Sequence, residues 1–505
     1  MIYLETGLQS ADKTAVLDCA GAWSYGELAR HAAQVSAHLR QRERLSSGER
    51  VGLFLQRRKE SVALLLGVFG AGGLAVPFSV RATARELAHQ IVDADISRII
   101  FEASSRKVLE DALALAQAKG TSAVIIESRA LLEGSATTAD LTPDPDAPAL
   151  ILYTSGTTGW PKGVVHTHAS LAAQVETLHR AWEWSGEDEL LHVLPLHHIH
   201  GLVNGVLGAL RAAAKLRFLD AFSARVVWDE FAAEHATVFY AVPTIYHQLV
   251  ECLEQEDTAT RQRWARAAGQ LRLAVSGSAA LPARLWTRWQ EITGQALLER
   301  YGMTEIGMAI SNPYRGERRP GTVGQALPGM CVRIIAETGS EAGNGTPGEI
   351  HVRGPSLFKE YWGQPEATEK SFRDGYFLTG DIADVRDGYV RILGRASVDI
   401  LKSGGYKISA LEIEEVLREH PAVREVAVVG VPDAEWGEIV TACVIAKSAE
   451  TLTLEQLRDW CRDKLAPYKL PRRLELAQDL PRNAMGKVTK TELIRQLTQA
   501  RHNDK

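Results

Sequence analysis

Tyr153-Thr154-Ser155-Gly156-Thr157-Thr158-Gly159-Trp160-Pro161-Lys162-Gly163 crowds hydroxyls, glycines and one lysine into a single short loop. The apolar run Ala149-Leu150-Ile151-Leu152 before it reads as a buried strand, and Val164-Val165 after it as the start of another. The loop therefore hangs between two rigid elements. Glycines let backbone N–H groups approach an anion closely, hydroxyls add donors and Lys162 adds a charge. Together they predict a cradle for the phosphates of ATP rather than a plain Ser/Thr/Gly surface loop. A Walker A loop is excluded, because that pattern ends in Gly-Lys-Ser/Thr and Pro161-Lys162-Gly163 stands here instead.

Outward from this loop, residues 1–394 alternate helix-like segments such as Tyr25 to Arg40 with short β-branched runs such as Arg98-Ile99-Ile100-Phe101 and Ser122 to Ile126. That alternation predicts an α/β fold with parallel or mixed sheets covered by helices. The uncharged run Ser61 to Val80 is long enough to suggest a membrane helix. Its internal glycines and Pro77 predict instead a buried helix ending near Gly70, then a buried strand through Leu74-Ala75-Val76. After Gly394 the style changes to a small α+β unit: helix from Leu411 to Glu419, strands Val423 to Val431 and Val440 to Ala446, helix from Leu454 to Lys464, and a last helix from Lys490. Two domains are expected, 1–394 and a smaller, mobile 395–505.

The chain has 505 residues, 45% hydrophobic and 24% charged, enough for a large core. A net charge of −5, from 57 basic and 62 acidic residues, argues against nucleic acid or anionic membrane as general partners and leaves small molecules. The five cysteines are scattered without C-x-x-C spacing, so neither a zinc site nor a disulfide framework is expected, and buried thiols are. The first residues lack the basic and apolar regions of a signal peptide, which makes cytoplasm the expected location. Oligomeric state is not legible.

Further along, Arg300-Tyr301-Gly302-Met303-Thr304-Glu305 follows the apolar run Ala296-Leu297-Leu298. A strand end presenting a ring, a hydroxyl and a carboxylate can stack on a base, hold a phosphate and recruit Mg²⁺. Ser276-Gly277-Ser278 closes another strand, where the glycine would let backbone pass close beside a flat ring. Thr379-Gly380-Asp381 places a carboxylate at an expected turn, able to accept both hydroxyls of a ribose.

Taken jointly and in this order, these motifs resemble the acyl-adenylate-forming superfamily of acyl-CoA synthetases, luciferases and peptide-synthetase adenylation domains, over essentially the whole chain. The resemblance implies that Thr154, Ser155, Gly156, Thr157, Thr158, Gly159 and Lys162 wrap the β- and γ-phosphates. It also implies that Thr304 and Glu305 serve phosphate and Mg²⁺, with Thr154 beside Glu305 at the metal. Ser276, Gly277, Ser278, Tyr301, Gly302 and Met303 would frame the adenine, and Asp381 and Arg395 would hold the ribose. Lys487, in Ala484-Met485-Gly486-Lys487, would reach both the reacting carboxylate and the α-phosphate. A carboxylate attacking a phosphate gathers negative charge in the transition state, so positioned cations should supply most of the acceleration.

Lys402-Ser403-Gly404-Gly405-Tyr406 resembles the turn that, in acyl-CoA synthetases, swings inward and lines the pantetheine tunnel. Lys402, Gly404, Gly405 and Tyr406 thus point to CoA as the acceptor. The family's hinge position falls on Ser397, an atypical pivot, with Asp399 close by, and the hinge is left open between them. This stretch, with Lys407 to Glu412, resembles the malonyl-CoA synthetase group. Arg300, placed where general fatty acyl-CoA synthetases carry no arginine, offers a fork for the distal carboxylate of malonate. The competing reading pairs it with a structural carboxylate. His198 matches the family's acyl-pocket histidine and His200 could add a donor; a zinc site is disfavoured by the lack of H-E-x-x-H or a Cys partner. Methylmalonate is a plausible second substrate, since one methyl changes binding by only ~1–3 kcal/mol. The alternatives are a fatty or aryl acyl-CoA synthetase and a ligase loading a carrier protein.

Overall fold

A computed structural model describes residues 2–133, 143–154, 161–433, 435–447, 452–482 and 488–503, with side chains to residue 499. Two large sheets organise the first part of the chain. In the seven-stranded sheet, strands Leu74–Phe78, Arg50–Phe54, Arg98–Phe101 and Val124–Glu127 run parallel, while Pro148–Thr154 and Lys162–Thr167 form an antiparallel hairpin at one side. In the nine-stranded sheet a parallel centre, including Glu189–His192, Val238–Ala241 and Leu273–Ser276, ends in the antiparallel hairpin Leu298–Met303 and Gly307–Ser311. Parallel strands at the centre of a sheet are covered on both faces, and Leu74–Phe78, Val238–Ala241 and Leu273–Ser276 are accordingly buried at every position. The uncharged run resolves as expected into a buried helix, Lys59–Gly70, and a fully buried strand, Leu74–Phe78.

Residues 331–395 depart from the alternation. They form an antiparallel five-stranded sheet, built around Gly348–Arg353 and Tyr376–Arg386 and ending in Tyr389–Arg395. Its tight turns carry Asp374-Gly375 and Asp387-Gly388, all four at positive φ. Asp-Gly between β-branched runs is the strongest short-range hairpin signal, and it was available in the sequence.

A separate sheet begins at Ile400–Ser403 and adds Tyr406–Ser409, Gly437–Ala446, Val423–Asp433 and Arg473–Leu476. The helices Ala410–Arg418, Leu454–Cys461 and Lys490–Asn503 accompany it, and buried Leu401, Ile413, Val428, Val444 and Leu457 give it its own core. Sheet membership changes between Arg395 and Ile400. The two parts meet where the Ala283 N–H donates to Glu415 Oε1 at 2.8 Å and where Lys407 pairs with Glu337.

The expectation of buried thiols needs correcting. Cys443 and Cys461 are buried, but Cys19 and Cys331 are exposed and Cys252 lies between. Cys19 sits between the two strands of a terminal hairpin, and Cys331 starts an edge strand with its side chain outward. No helix among the described residues is long and apolar enough to cross a membrane.

Candidate functional site

The ends of the opening loop are held against each other, because Thr154 pairs with Lys162 in the antiparallel hairpin. Both line a cavity of about 1240 Å³ shared between the large sheets and the C-terminal unit. Ser155, Gly156, Thr157, Thr158 and Gly159 lie outside the described residues, as does Lys487. The Lys162 ammonium stands 5.1 Å from the centre of the Tyr361 ring.

Arg300 to Met303 were expected at a strand end, just beyond the apolar run Ala296-Leu297-Leu298. They are the strand itself, Leu298–Met303, which continues because Gly307–Ser311 returns beside it. Thr304 and Glu305 occupy the tight connection. Gly302 permits it, since a Cβ there would lie 2.1 Å from the Gly307 carbonyl oxygen. Buried His166 donates its Nε2–H to the Thr304 carbonyl at 2.7 Å; burial pushes the imidazole down to about 4, so it stays neutral near pH 7. Glu305 Oε1 accepts from the Tyr361 hydroxyl at 3.0 Å. Burial pushes the Glu305 carboxyl above its usual range, with Tyr361 and Arg395 acting against that rise.

Thr379-Gly380-Asp381 is likewise no turn between elements. It lies inside the long strand Tyr376–Arg386, where the pairing slips against Gly348–Arg353 and Gly380 takes φ +70. Such a bulge re-aims a side chain out of an otherwise regular ladder. Asp381 Oδ2 accepts from the Tyr301 hydroxyl at 2.5 Å, and Asp381 Oδ1 pairs with Arg395 Nε at 2.9 Å. Arg395 also donates from Nη1 to the Thr379 carbonyl at 2.7 Å. Tyr301, Asp381 and Arg395, far apart in sequence, thus form one connected wall of the cavity.

Ser276 ends the strand Leu273–Ser276, and Ser278 follows at φ +68. The flat group lying against Gly277 is the Arg300 guanidinium, whose Cζ would be 2.5 Å from a Cβ at that position. Of this motif Ser278 lines the cavity, and Ser276 and Gly277 stand behind it. Arg300 is 3% exposed, and its Nε and Nη2 have no hydrogen-bond partner among the described residues. Burial lowers it to about 10, so it remains a cation at neutral pH. The neighbouring Glu299, wholly buried, is pushed up to about 8 and accepts the Leu281 N–H at 3.0 Å. Among the described residues no carboxylate lies within ion-pair distance of the Arg300 guanidinium.

His200 begins a wide π-helical segment, His200–Leu207; its Nδ1 lies 3.2 Å from Ser278 Oγ and its ring packs 5.7 Å from that of Tyr240. The His197 and His198 rings are 4.0 Å apart, and burial pushes His197 down to about 4. His198, His200, Ser278 and Arg300 all line the cavity. Among the described residues no group of three or more His, Cys, Asp or Glu side chains could hold a metal ion. Glu305 nevertheless fits Mg²⁺ brought in by a nucleotide, because Mg²⁺ takes one or two protein carboxylates and fills its remaining positions with phosphate oxygens and water.

Lys402, Gly404, Gly405 and Tyr406 are not brought to the cavity. They form an exposed hairpin between Ile400–Ser403 and Tyr406–Ser409, with Gly404 and Gly405 at φ +57 and +82, a turn that asks for glycine at both centres. The Tyr406 ring stacks on Tyr468 at 4.3 Å. Sequence reasoning missed Tyr361 and His166, which reach Glu305 and Thr304 from distant strands and carry no local signal.

Residues 5–362 match the model of the AMP-binding enzyme family, and residues 412–487 that of the AMP-binding enzyme C-terminal domain. The chain is 43% identical to a malonate–CoA ligase of Arabidopsis thaliana over 97% of its own length and 87% of the relative's. Among solved structures, ATP-bound MatB from Rhodopseudomonas palustris superposes with a TM-score of 0.90 at 37% identity, covering 99% of both chains. A malonyl-CoA ligase ternary product complex with methylmalonyl-CoA and AMP superposes with a TM-score of 0.68 at 38% identity, covering 94% of this chain and 97% of that one. Identity is nearly the same in the two comparisons, 37% and 38%, while the TM-scores differ, 0.90 and 0.68.

Proposed function

The chain belongs to the AMP-binding enzyme family, and we propose that it is an AMP-forming acid–thiol ligase that joins malonate to coenzyme A. One malonate carboxylate attacks the α-phosphorus of ATP, the bond to the β-phosphate oxygen breaks, and pyrophosphate leaves. The CoA thiolate then attacks the acyl carbon of malonyl-adenylate and expels AMP. The observation that carries the substrate reading is the Arg300 guanidinium, buried with Nε and Nη2 unpartnered among the described residues at the edge of the cavity. A buried charge without a partner costs several kcal/mol, roughly 3–5 by the loss seen when one member of a buried pair is removed. A second carboxylate on the substrate would recover much of that through a bidentate contact.

The site residues take the following roles in this reading. The loop from Thr154 to Lys162 receives the β- and γ-phosphates. Thr304, held by His166, and Glu305, held by Tyr361, face the phosphates and the Mg²⁺ that accompanies them. Mg²⁺ supplies charge neutralisation of the departing pyrophosphate. Asp381 with Arg395 meets the ribose, Tyr301 with Ser278 meets the base, and His198 and His200 flank the acyl group. Lys487 serves the first step, and the Gly404-Gly405 hairpin the second. The exposed position of that hairpin supports a rotation of the small C-terminal unit against the sheet that ends at Arg395 between steps, about a pivot at Ser397 or Asp399. The unpaired cysteines fit a reducing compartment, cytoplasm by our reading.

Pyrophosphate release measured with malonate, methylmalonate, butyrate and octanoate tests the proposal. Malonate should turn over fastest, with methylmalonate next. Faster turnover of either monocarboxylate would overturn the dicarboxylate reading, and acyl-hydroxamate trapping without a CoA-dependent thioester would redirect it to a carrier-protein acceptor.

A further inference from the structure

Lys490 carries a buried charge that none of the roles above uses. Its ammonium lies 2.5 Å from Asp399 Oδ1 and 2.7 Å from Glu414 Oε1. Glu414 also accepts the Val428 N–H at 2.8 Å and pairs with Arg418 at 2.7 Å, so the cluster holds two cations and two carboxylates. Burial opposes the charge on Lys490, but Glu414 and Asp399 outweigh it and hold the ammonium above its ordinary range.

The position of Asp399 gives this cluster its meaning. Asp399 Oδ2 accepts the backbone N–H of Arg395 at 3.0 Å, and Arg395 is the last residue of the preceding sheet and the partner of Asp381. Asp399 Oδ1 takes Lys490, the first residue of the C-terminal helix. One carboxylate thus spans the junction between the two units, bonded to one unit on each side. A change in the angle between the units alters the separation of the Arg395 amide and the Lys490 ammonium. Both bonds can be kept only over a narrow range of angles. Gly394 belongs to the same fit: at φ +134, a Cβ there would lie 2.4 Å from Asp399 Cβ. Just before Lys490, Val488 and Thr489 are fixed by the bridge Arg482–Val488 and by the Thr489 N–H donating to the Pro481 carbonyl at 2.7 Å.

We propose that Lys490 is a positioning residue for the first half-reaction. Its bond to Asp399 selects the arrangement of the two units seen here and seats Val488 and Thr489, which follow Lys487 in the sequence, relative to Asp381 and Arg395. The proposal rests on the ligase reading above, yet it makes a claim that reading does not contain: loss of the pair should separate the two half-reactions.

Lys490→Met and Asp399→Asn are measured beside the unaltered protein in two assays, malonate-dependent pyrophosphate release and CoA-dependent consumption of supplied malonyl-adenylate. Adenylation should fall at least tenfold in both variants, while thioester formation from the supplied adenylate changes less than threefold. Lys490→Arg, which keeps the charge, should restore most of the first activity. Equal losses in both half-reactions, or no loss in either, overturn the proposal. Asp399→Asn keeps the test decisive if Lys490→Met does not fold, because it leaves Glu414 with Lys490. Absence of malonate adenylation in the unaltered protein would strike the ligase reading, whereas normal adenylation there with an unchanged ratio in the variants strikes this inference alone.

Discussion

Arg300 and Lys490 are both buried cations, 3% and 9% exposed, and they keep different company. Lys490 has two carboxylates within 2.7 Å, and its ammonium is held above the usual range. Arg300 lies against the backbone at Gly277, beside a Glu299 carboxyl that burial pushes up; two of its nitrogens have no partner among the described residues, and burial holds it below its usual range. In the reading proposed above, the partner that Arg300 lacks is the second carboxylate of the substrate. The Arg300 end of the cavity is then an unfinished electrostatic site, and the junction between the units is a finished one.

Removing each charge should therefore move stability in opposite directions, and this is where the comparison is easiest to break. Lys490→Met leaves Asp399 without a cation and Glu414 with Arg418 alone, and should cost about 3 kcal/mol, read as the shift of the denaturant midpoint at unchanged slope. For activity the order reverses. Arg300→Ala should lower kcat/KM for malonate about 100-fold, roughly 3 kcal/mol, with butyrate affected little. Full malonate affinity in that variant would remove the reason for calling the pocket unfinished. In the ligand-free protein Arg300→Met should raise stability by about 1–3 kcal/mol, because an apolar chain of similar length replaces a desolvated charge.

How much of this contrast was legible in the sequence differs between the two regions. Arg300 stood out by residue type beside Tyr301, so the pocket could be suspected; its missing partner could not be read, because that depends on burial of Glu299 and on what lines the far wall. The helix Lys59–Gly70 and strand Leu74–Phe78 were legible because their pattern is set within their own residues. Thr379-Gly380-Asp381 was misread as a turn because its glycine signals positive φ correctly but says nothing of the strands on either side, Gly348–Arg353 and Tyr389–Arg395, that turn it into a bulge. Lys490, Tyr361 and His166 carried no local signal at all. Each acts through a partner more than fifty residues away in sequence.

Glu299 offers a gentler probe of the unfinished site. Its carboxyl is pushed up to about 8, so it is mainly neutral at pH 7 and ionises as pH rises through 8. Ionised, it would place a negative charge beside Arg300 and compete with the substrate carboxylate. Malonate kcat/KM should accordingly fall several-fold between pH 7 and 9, and Glu299→Gln, neutral throughout, should flatten that limb. A limb unchanged by the substitution would assign the pH dependence to another group.

The exposed hairpin of the C-terminal unit supplies the smallest expected effect and the sharpest control on the junction. Gly405 sits at φ +82 with nothing within 4 Å of the position a Cβ would take, so Gly405→Ala costs backbone strain alone, about 1 kcal/mol. That loss is small against the effect of removing the Lys490 charge, and thermal unfolding should barely register it. In the arrangement seen here the hairpin lies outside the cavity, so adenylation should proceed at its normal rate. If the hairpin then turns inward beside the pantetheine arm, an added methyl meets the thiol's path and CoA-dependent release of AMP should slow. Lys490→Met and Gly405→Ala would then impair opposite half-reactions from the two ends of one small unit, the first by loosening the arrangement that activates malonate and the second by narrowing the arrangement that consumes the adenylate. A Gly405→Ala variant that slowed adenylation instead would mean the hairpin acts in the arrangement where it now stands exposed, and the division of labour between pocket and junction would have to be redrawn.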